Sequence, residues 1–120
     1  MTELDPSYPS RAEPDRDEPL AITVRERAGG ATIVLAGEFD LHGFEPFTET
    51  LQELIDEGPA RIDIDAAAVR FIDSSGLKAL LHAHHRVATA GSRLRLVVVS
   101  DAVRRVITLA GVSDDLLAPD

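Results

Sequence analysis

A chain of 120 residues that is 44% apolar is long enough to bury one core, and without tryptophan or cysteine and with few aromatics that core has to be aliphatic. Twelve basic side chains against 21 acidic ones give a formal net charge of −9 and argue against direct nucleic-acid binding, which needs clustered Lys and Arg; the nearest clusters are Arg104–Arg105 and Arg93/Arg95. The lack of cysteine removes disulfides and thiolate metal sites and fits a reducing compartment. No run approaches the ~20 apolar residues of a membrane span and no signal-peptide order opens the chain, so a cytoplasmic protein is expected.

Residues 1–19 read as a disordered acidic tail. Pro6, Pro9, Pro14 and Pro19 are spaced among Glu3, Asp5, Glu13, Asp15, Asp17 and Glu18, with too little apolar surface to offset ordering entropy. The domain is expected over 20–120. Ile22 and Val24 alternate with Thr23 and Arg25, Gly29-Gly30 signals a turn, and Ala31 to Ala36 forms a second apolar run; together they predict a β-hairpin. Gly37-Glu38-Phe39-Asp40 ends that strand and leads into a loop around His42-Gly43. Phe47, Leu51, Leu54 and Ile55 recur at helical spacing, with Pro46 in the first turn and Gly58-Pro59 as the stop.

Ile62 and Ile64 alternate with Arg61, Asp63 and Asp65, predicting a third strand. A second helix is expected from about Ser74 to Ala90, with Leu77, Leu80, Leu81, His84 and Val87 on one stripe and Gly91 at its end. Leu94, Leu96 and Val97 to Val99 form the most continuously apolar strand, expected at the centre of the sheet. Ser100 or Asp101 caps a third helix through Val103, Val106, Ile107 and Ala110, ended by Gly111. The order β-β-α-β-α-β-α predicts an α/β fold in which one sheet, with parallel pairing and right-handed crossovers, packs with helices.

The informative stretch is Phe71-Ile72-Asp73-Ser74-Ser75-Gly76-Leu77. Asp73, Ser74 and Ser75 are all good N-cap residues, and Gly76 lets another backbone or a partner approach closely. Taken alone, these residues read as a well-capped helix start. With their context they resemble the STAS family, in particular its anti-sigma-factor antagonists, over about Leu20 to Leu117. Leu35-Ala36-Gly37-Glu38-Phe39-Asp40 is similar to that family's Gly-Glu-Leu-Asp element, with Phe39 in place of Leu. Ser100-Asp101-Ala102-Val103-Arg104-Arg105-Val106 is similar to the start of its final helix.

The resemblance implies a partner-switching mechanism. Ser74, directly after the motif Asp, would be phosphorylated by an anti-sigma factor that is itself a serine kinase, with Ser75 the second choice. The unphosphorylated form would bind that factor and free a sigma factor; a metal-dependent Ser/Thr phosphatase would reset the switch. Asp40, Asp73, Ser74, Ser75, Gly76 and Lys78 are the expected partner-binding residues. A phosphate at a helix N-terminus sits where amides and the macrodipole favour an anion, so the fold is expected to tolerate it while the interface does not. The alternative is a STAS subunit of a membrane transport complex that binds a partner without a phosphorylation cycle.

Other chemistry is poorly supported. No Gly-x-Ser-x-Gly elbow surrounds Ser74, so no catalysis is expected, and no cofactor is expected on this chain; ATP belongs to the kinase. His82 and His85 share a helix face at i, i+3 without a third ligand, which argues against zinc. Asp63 and Asp65 read as a solvated strand face.

Overall fold

The computed structural model describes residues 19–111 and 116–117; the acidic tail lies outside them apart from Pro19. The elements are β1 (Ala21–Arg27), β2 (Gly30–Phe39), α1 (Leu41–Glu57), β3 (Arg61–Ile72), α2 (Ser74–Thr89), β4 (Arg93–Val99) and α3 (Asp101–Ala110). They follow the predicted β-β-α-β-α-β-α order. The sheet runs β1-β2-β3-β4, with β1 antiparallel to β2 and the other pairs parallel. Gly29 takes φ 78° in the hairpin turn, a conformation that costs a side-chain-bearing residue dearly.

Alternation divides the sheet into two unlike faces. Ile33, Leu35 and Phe39 of β2, Ile62, Ile64 and Val69 of β3, and Leu94 and Leu96 of β4 are buried and point to the same side. Leu51 and Leu54 of α1, Leu80 and Val87 of α2, and Val103 and Ile107 of α3 join them in one core. Each such side chain contributes about 1.5–3 kcal/mol by leaving water. Phe39 meets Phe47 edge to face, with ring centroids 5.2 Å apart, and so ties the end of β2 to α1. Thr23, Arg25, Thr32, Val34, Asp63, Asp65 and Arg95 alternate onto the other face, where they are half-buried or exposed.

Four expectations are corrected. β4 lies at the edge of the sheet, and β2 and β3 form its centre. The β3–β4 register slips between Ile64 and Asp65, so Val97 and Val98 drop out of alternation and stay 43% and 45% exposed. The outer side of β4 is met by the C-terminal segment, where the Leu96 amide donates to the Leu116 carbonyl at 2.8 Å. β3 is also longer than the alternation of Ile62 and Ile64 indicates, because shifts in its pairing with β2 break the pattern around Ala66–Ala68.

The first helix begins at Leu41, and His42-Gly43 is its first turn instead of a loop. Asp40 caps it, and Gly43 is buried so closely that a Cβ there would come 2.9 Å from Leu20. Pro46 then lies inside the helix, near enough to the start to forfeit one amide bond only. On α2 the core-facing stripe is Gly76, Ala79, Leu80, Ala83 and Val87, while Leu81 is exposed and His84 half-buried. Small residues bring this helix close to the sheet, a signal that large-residue periodicity hides.

Candidate functional site

Because β2 and β3 are parallel and pair Phe39 with Ile72 at their ends, the residues that follow them emerge side by side. Those residues are Asp40 and Asp73, and each caps the helix it introduces. Asp40 Oδ1 accepts the His42 amide at 3.0 Å. Asp73 Oδ1 accepts two amides, from Ser75 at 2.9 Å and Gly76 at 3.1 Å. The Asp73 amide donates to the Phe39 carbonyl at 3.3 Å, which links the two motifs directly.

Gly76 explains how the helix start is held there. A Cβ at this position would collide with the Phe39 carbonyl oxygen and lie 2.8 Å from Ile72 Cγ1. Neither a strand carbonyl nor a buried isoleucine can retreat cheaply, so glycine is what lets α2 dock against the end of β2. Gly76 is buried beneath the site and supports it from below.

Around this support the sequence-derived residues divide by exposure. Ser74, the first residue of α2, is exposed, and Lys78 one turn later is exposed on the same helix face. Asp40, Asp73 and Ser75 are half-buried. Among the described residues the Ser74 hydroxyl makes no hydrogen bond, whereas the adjacent Asp73 carboxylate is committed to capping. Of the three candidate caps Asp73 takes the role, and two first-turn amides belong to it. A phosphate on Ser74 must share the helix terminus with that carboxylate or displace it.

Three further residues, two of them within the quoted motifs, frame the site without being among the expected partner-binding residues. Leu41, 68% exposed, follows Asp40 directly; it precedes the periodic run that marked the helix. Phe71, also exposed, pairs in register with Glu38. Glu38 is only 8% exposed, and its Oε2 lies 3.5 Å from Nη2 of Arg70. Pro19, Glu38, Asp40 and His42 line a shallow depression beside the two motifs. His82, His85 and Arg86 line a separate open groove between α1 and α2 with Ile55. Among the described residues no three His, Asp or Glu side chains are grouped to hold a metal ion, and no helix is long and apolar enough to cross a membrane.

Residues 22–118 match the family model described as "Mlab, STAS domain", and the chain belongs to the STAS domain family. The anti-sigma-F factor antagonist RsfB of Mycobacterium tuberculosis is 29% identical over 92 residues, covering 77% of this chain and 75% of RsfB. An anti-sigma factor antagonist from Mycobacterium paratuberculosis superposes with a TM-score of 0.70 at 26% identity, covering 82% of this chain and 80% of that one. The anti-sigma factor antagonist SpoIIAA in its unphosphorylated form superposes at 0.66 and 26% identity, covering 76% and 81%. The Bacillus SpoIIAA in its phosphorylated form shares the fold at 0.66 and 23% identity, covering 82% and 89%.

Proposed function

We propose that this chain is an anti-sigma-factor antagonist that binds an anti-sigma factor through the surface around Asp40, Asp73, Ser74, Ser75 and Lys78, and that phosphorylation of Ser74 ends the binding. The observation that carries this reading is the division of labour at the start of α2. Asp73 holds the helix, and the adjacent Ser74 hydroxyl is exposed with no hydrogen bond among the described residues. A kinase can reach such a hydroxyl without dismantling the fold. Transfer forms an Oγ–P bond on Ser74, breaks the bond from the γ-phosphorus of ATP to ADP, and releases the hydroxyl proton; the ATP is the partner's.

The phosphate brings about −1.5 to −2 charges to a spot beside two carboxylates, Asp40 and Asp73. The helix dipole offsets part of that repulsion in the free protein. In a complex the same charge is enclosed against a partner, where an unmatched charge costs several kcal/mol, so the interface fails before the fold does. That SpoIIAA is known in both phosphorylated and unphosphorylated forms supports this reading. A metal-dependent phosphatase would reverse the modification.

Incubation with an anti-sigma factor kinase and ATP, followed by peptide mass mapping, tests the site. One phosphoryl group on Ser74 is expected. Modification confined to another residue, or none at all with an active kinase, contradicts the assignment. A STAS subunit of a membrane transport complex would bind its partner whatever the state of Ser74.

A further inference from the structure

The helix-free face of the sheet carries a concentration of charge opposite to that of the chain as a whole. Register across the four strands places Arg27, Gly30, Arg61 and Arg93 in one line and Arg25, Thr32, Asp63 and Arg95 in the next. All these side chains alternate onto the face away from the core. Five of the chain's 12 basic residues therefore share two adjacent rungs, a patch about 14 Å across the strands and about 7 Å along them. Asp63 is the carboxylate within the two rungs and Asp65 lies on the next, and the Arg61–Asp63 contact of 3.3 Å is the ion pair formed there among the described residues. Gly30, lacking a side chain, leaves room for the Arg61 guanidinium, whose Cζ would be 3.3 Å from a Cβ at that position.

We propose that this arginine face is the docking surface for the chain's own N-terminal segment, residues 1–18. That segment holds six carboxylates, Glu3, Asp5, Glu13, Asp15, Asp17 and Glu18, against Arg11 and Arg16, so its charge complements the patch. It joins the sheet at Pro19, which bridges to Glu38 just ahead of β1. Arg25 lies six residues further along, about 20 Å at strand rise, and 18 residues span up to about 60 Å. Glu13 reaches the nearer rung with the chain fully extended and Glu3 and Asp5 reach both, so these three of the six carboxylates bear on the patch, while Asp15, Asp17 and Glu18 lie too close to Pro19. Tethering makes the contact intramolecular, so weak, salt-screened ion pairs suffice to populate it. Pro6, Pro9 and Pro14 lack the amides that adding a strand to the sheet edge requires, which leaves side-chain charge as the means of attachment.

Nucleic acid fits the face less well. Asp63 interrupts the arginines and Asp65 borders them, and a phosphate backbone running past the patch meets an acidic molecule. The inference is independent of the role proposed for Ser74, which lies at the opposite ends of these strands.

The chain has no cysteine, so Ser10→Cys in the full-length protein gives a single site for a nitroxide label. Paramagnetic broadening is expected at the amides of Arg25, Thr32, Asp63 and Arg95, with α1 and α2 unaffected. It is expected to disappear at ~1 M salt, where the screening length falls to about 3 Å. The double substitution Arg25→Glu, Arg95→Glu should abolish it at low salt. Broadening spread evenly over the domain, or centred elsewhere, overturns the proposal. So does broadening of an isotope-labelled, nitroxide-free chain mixed with nitroxide-labelled chains, which would make a second copy the occupant. Shifts of these amides on adding a short DNA duplex at physiological salt would make the face a nucleic-acid site and overturn it equally.

Discussion

Asp73 and Ser74 are neighbours with different duties, and substitution separates them. Asp73 accepts two first-turn amides, so Asp73→Ala is expected to cost about 0.5–2 kcal/mol, read as a lower denaturant midpoint. Ser74 accepts none of them, so Ser74→Ala is expected to stay within about 0.5 kcal/mol of wild type in the same titration. A larger loss at Ser74 than at Asp73 would mean that the cap has been assigned to the wrong residue. Gly76 is the third distinct case. Its missing Cβ faces a strand carbonyl that cannot move away, so Gly76→Ala is expected to cost about 1–3 kcal/mol, measured by thermal melting with circular dichroism. From sequence alone any of Asp73, Ser74 and Ser75 was a good cap, because choosing among them takes the direction in which β3 delivers the chain. The reason for Gly76 was half legible: close approach was foreseen, but the approaching group is the Phe39 carbonyl, distant in sequence.

At the scale of elements, the two parallel strands β2 and β3 are the frame on which both motifs are mounted. Their amides are flanked on both sides by other strands, whereas β1 has one strand neighbour and β4 only the short 116–117 segment on its outer side. Native-state hydrogen exchange is therefore expected to be slowest in β2 and β3 and faster in β1 and the exposed Val97–Val98 stretch. Slowest exchange in β4 would contradict this order. Alternation and glycine signals were enough to read the hairpin and the order of all seven elements. They misled for β4, since its run of apolar residues spans a register slip and lies partly on the uncovered face. They misled again on α2, where Ala79 and Ala83 pack closely while the larger Leu81 faces outward. The start of α1 was hidden because Asp40, His42 and Gly43 hold it by capping and tight packing, and neither leaves a hydrophobic period.

For the molecule as a whole, the site and the arginine face occupy opposite ends of one sheet, and among the described residues the core between them draws on Leu20 and those that follow it. Removal of residues 1–17, whose acidic and proline-rich composition offers little apolar surface to bury, is expected to change stability by less than about 1 kcal/mol. A larger drop in melting temperature would show that the segment completes the core. The family resemblance was legible because Asp73 to Leu77 and Gly37 to Asp40 each form a compact motif, and the fold then brought those motifs together. The sharing of the helix terminus between Asp73 and any phosphate was not legible, because it depends on which amides are already taken.

Titration calorimetry of wild type, Ser74→Ala and Ser74→Asp against an anti-sigma factor kinase, with circular dichroism to show that each is folded, tests the switch most directly. Wild type and Ser74→Ala are expected to bind alike, because alanine adds neither charge nor bulk. Ser74→Asp is expected to bind at least about tenfold more weakly, a loss of about 1.4 kcal/mol, while remaining folded. Equal affinities for all three folded proteins would contradict phosphorylation control at Ser74.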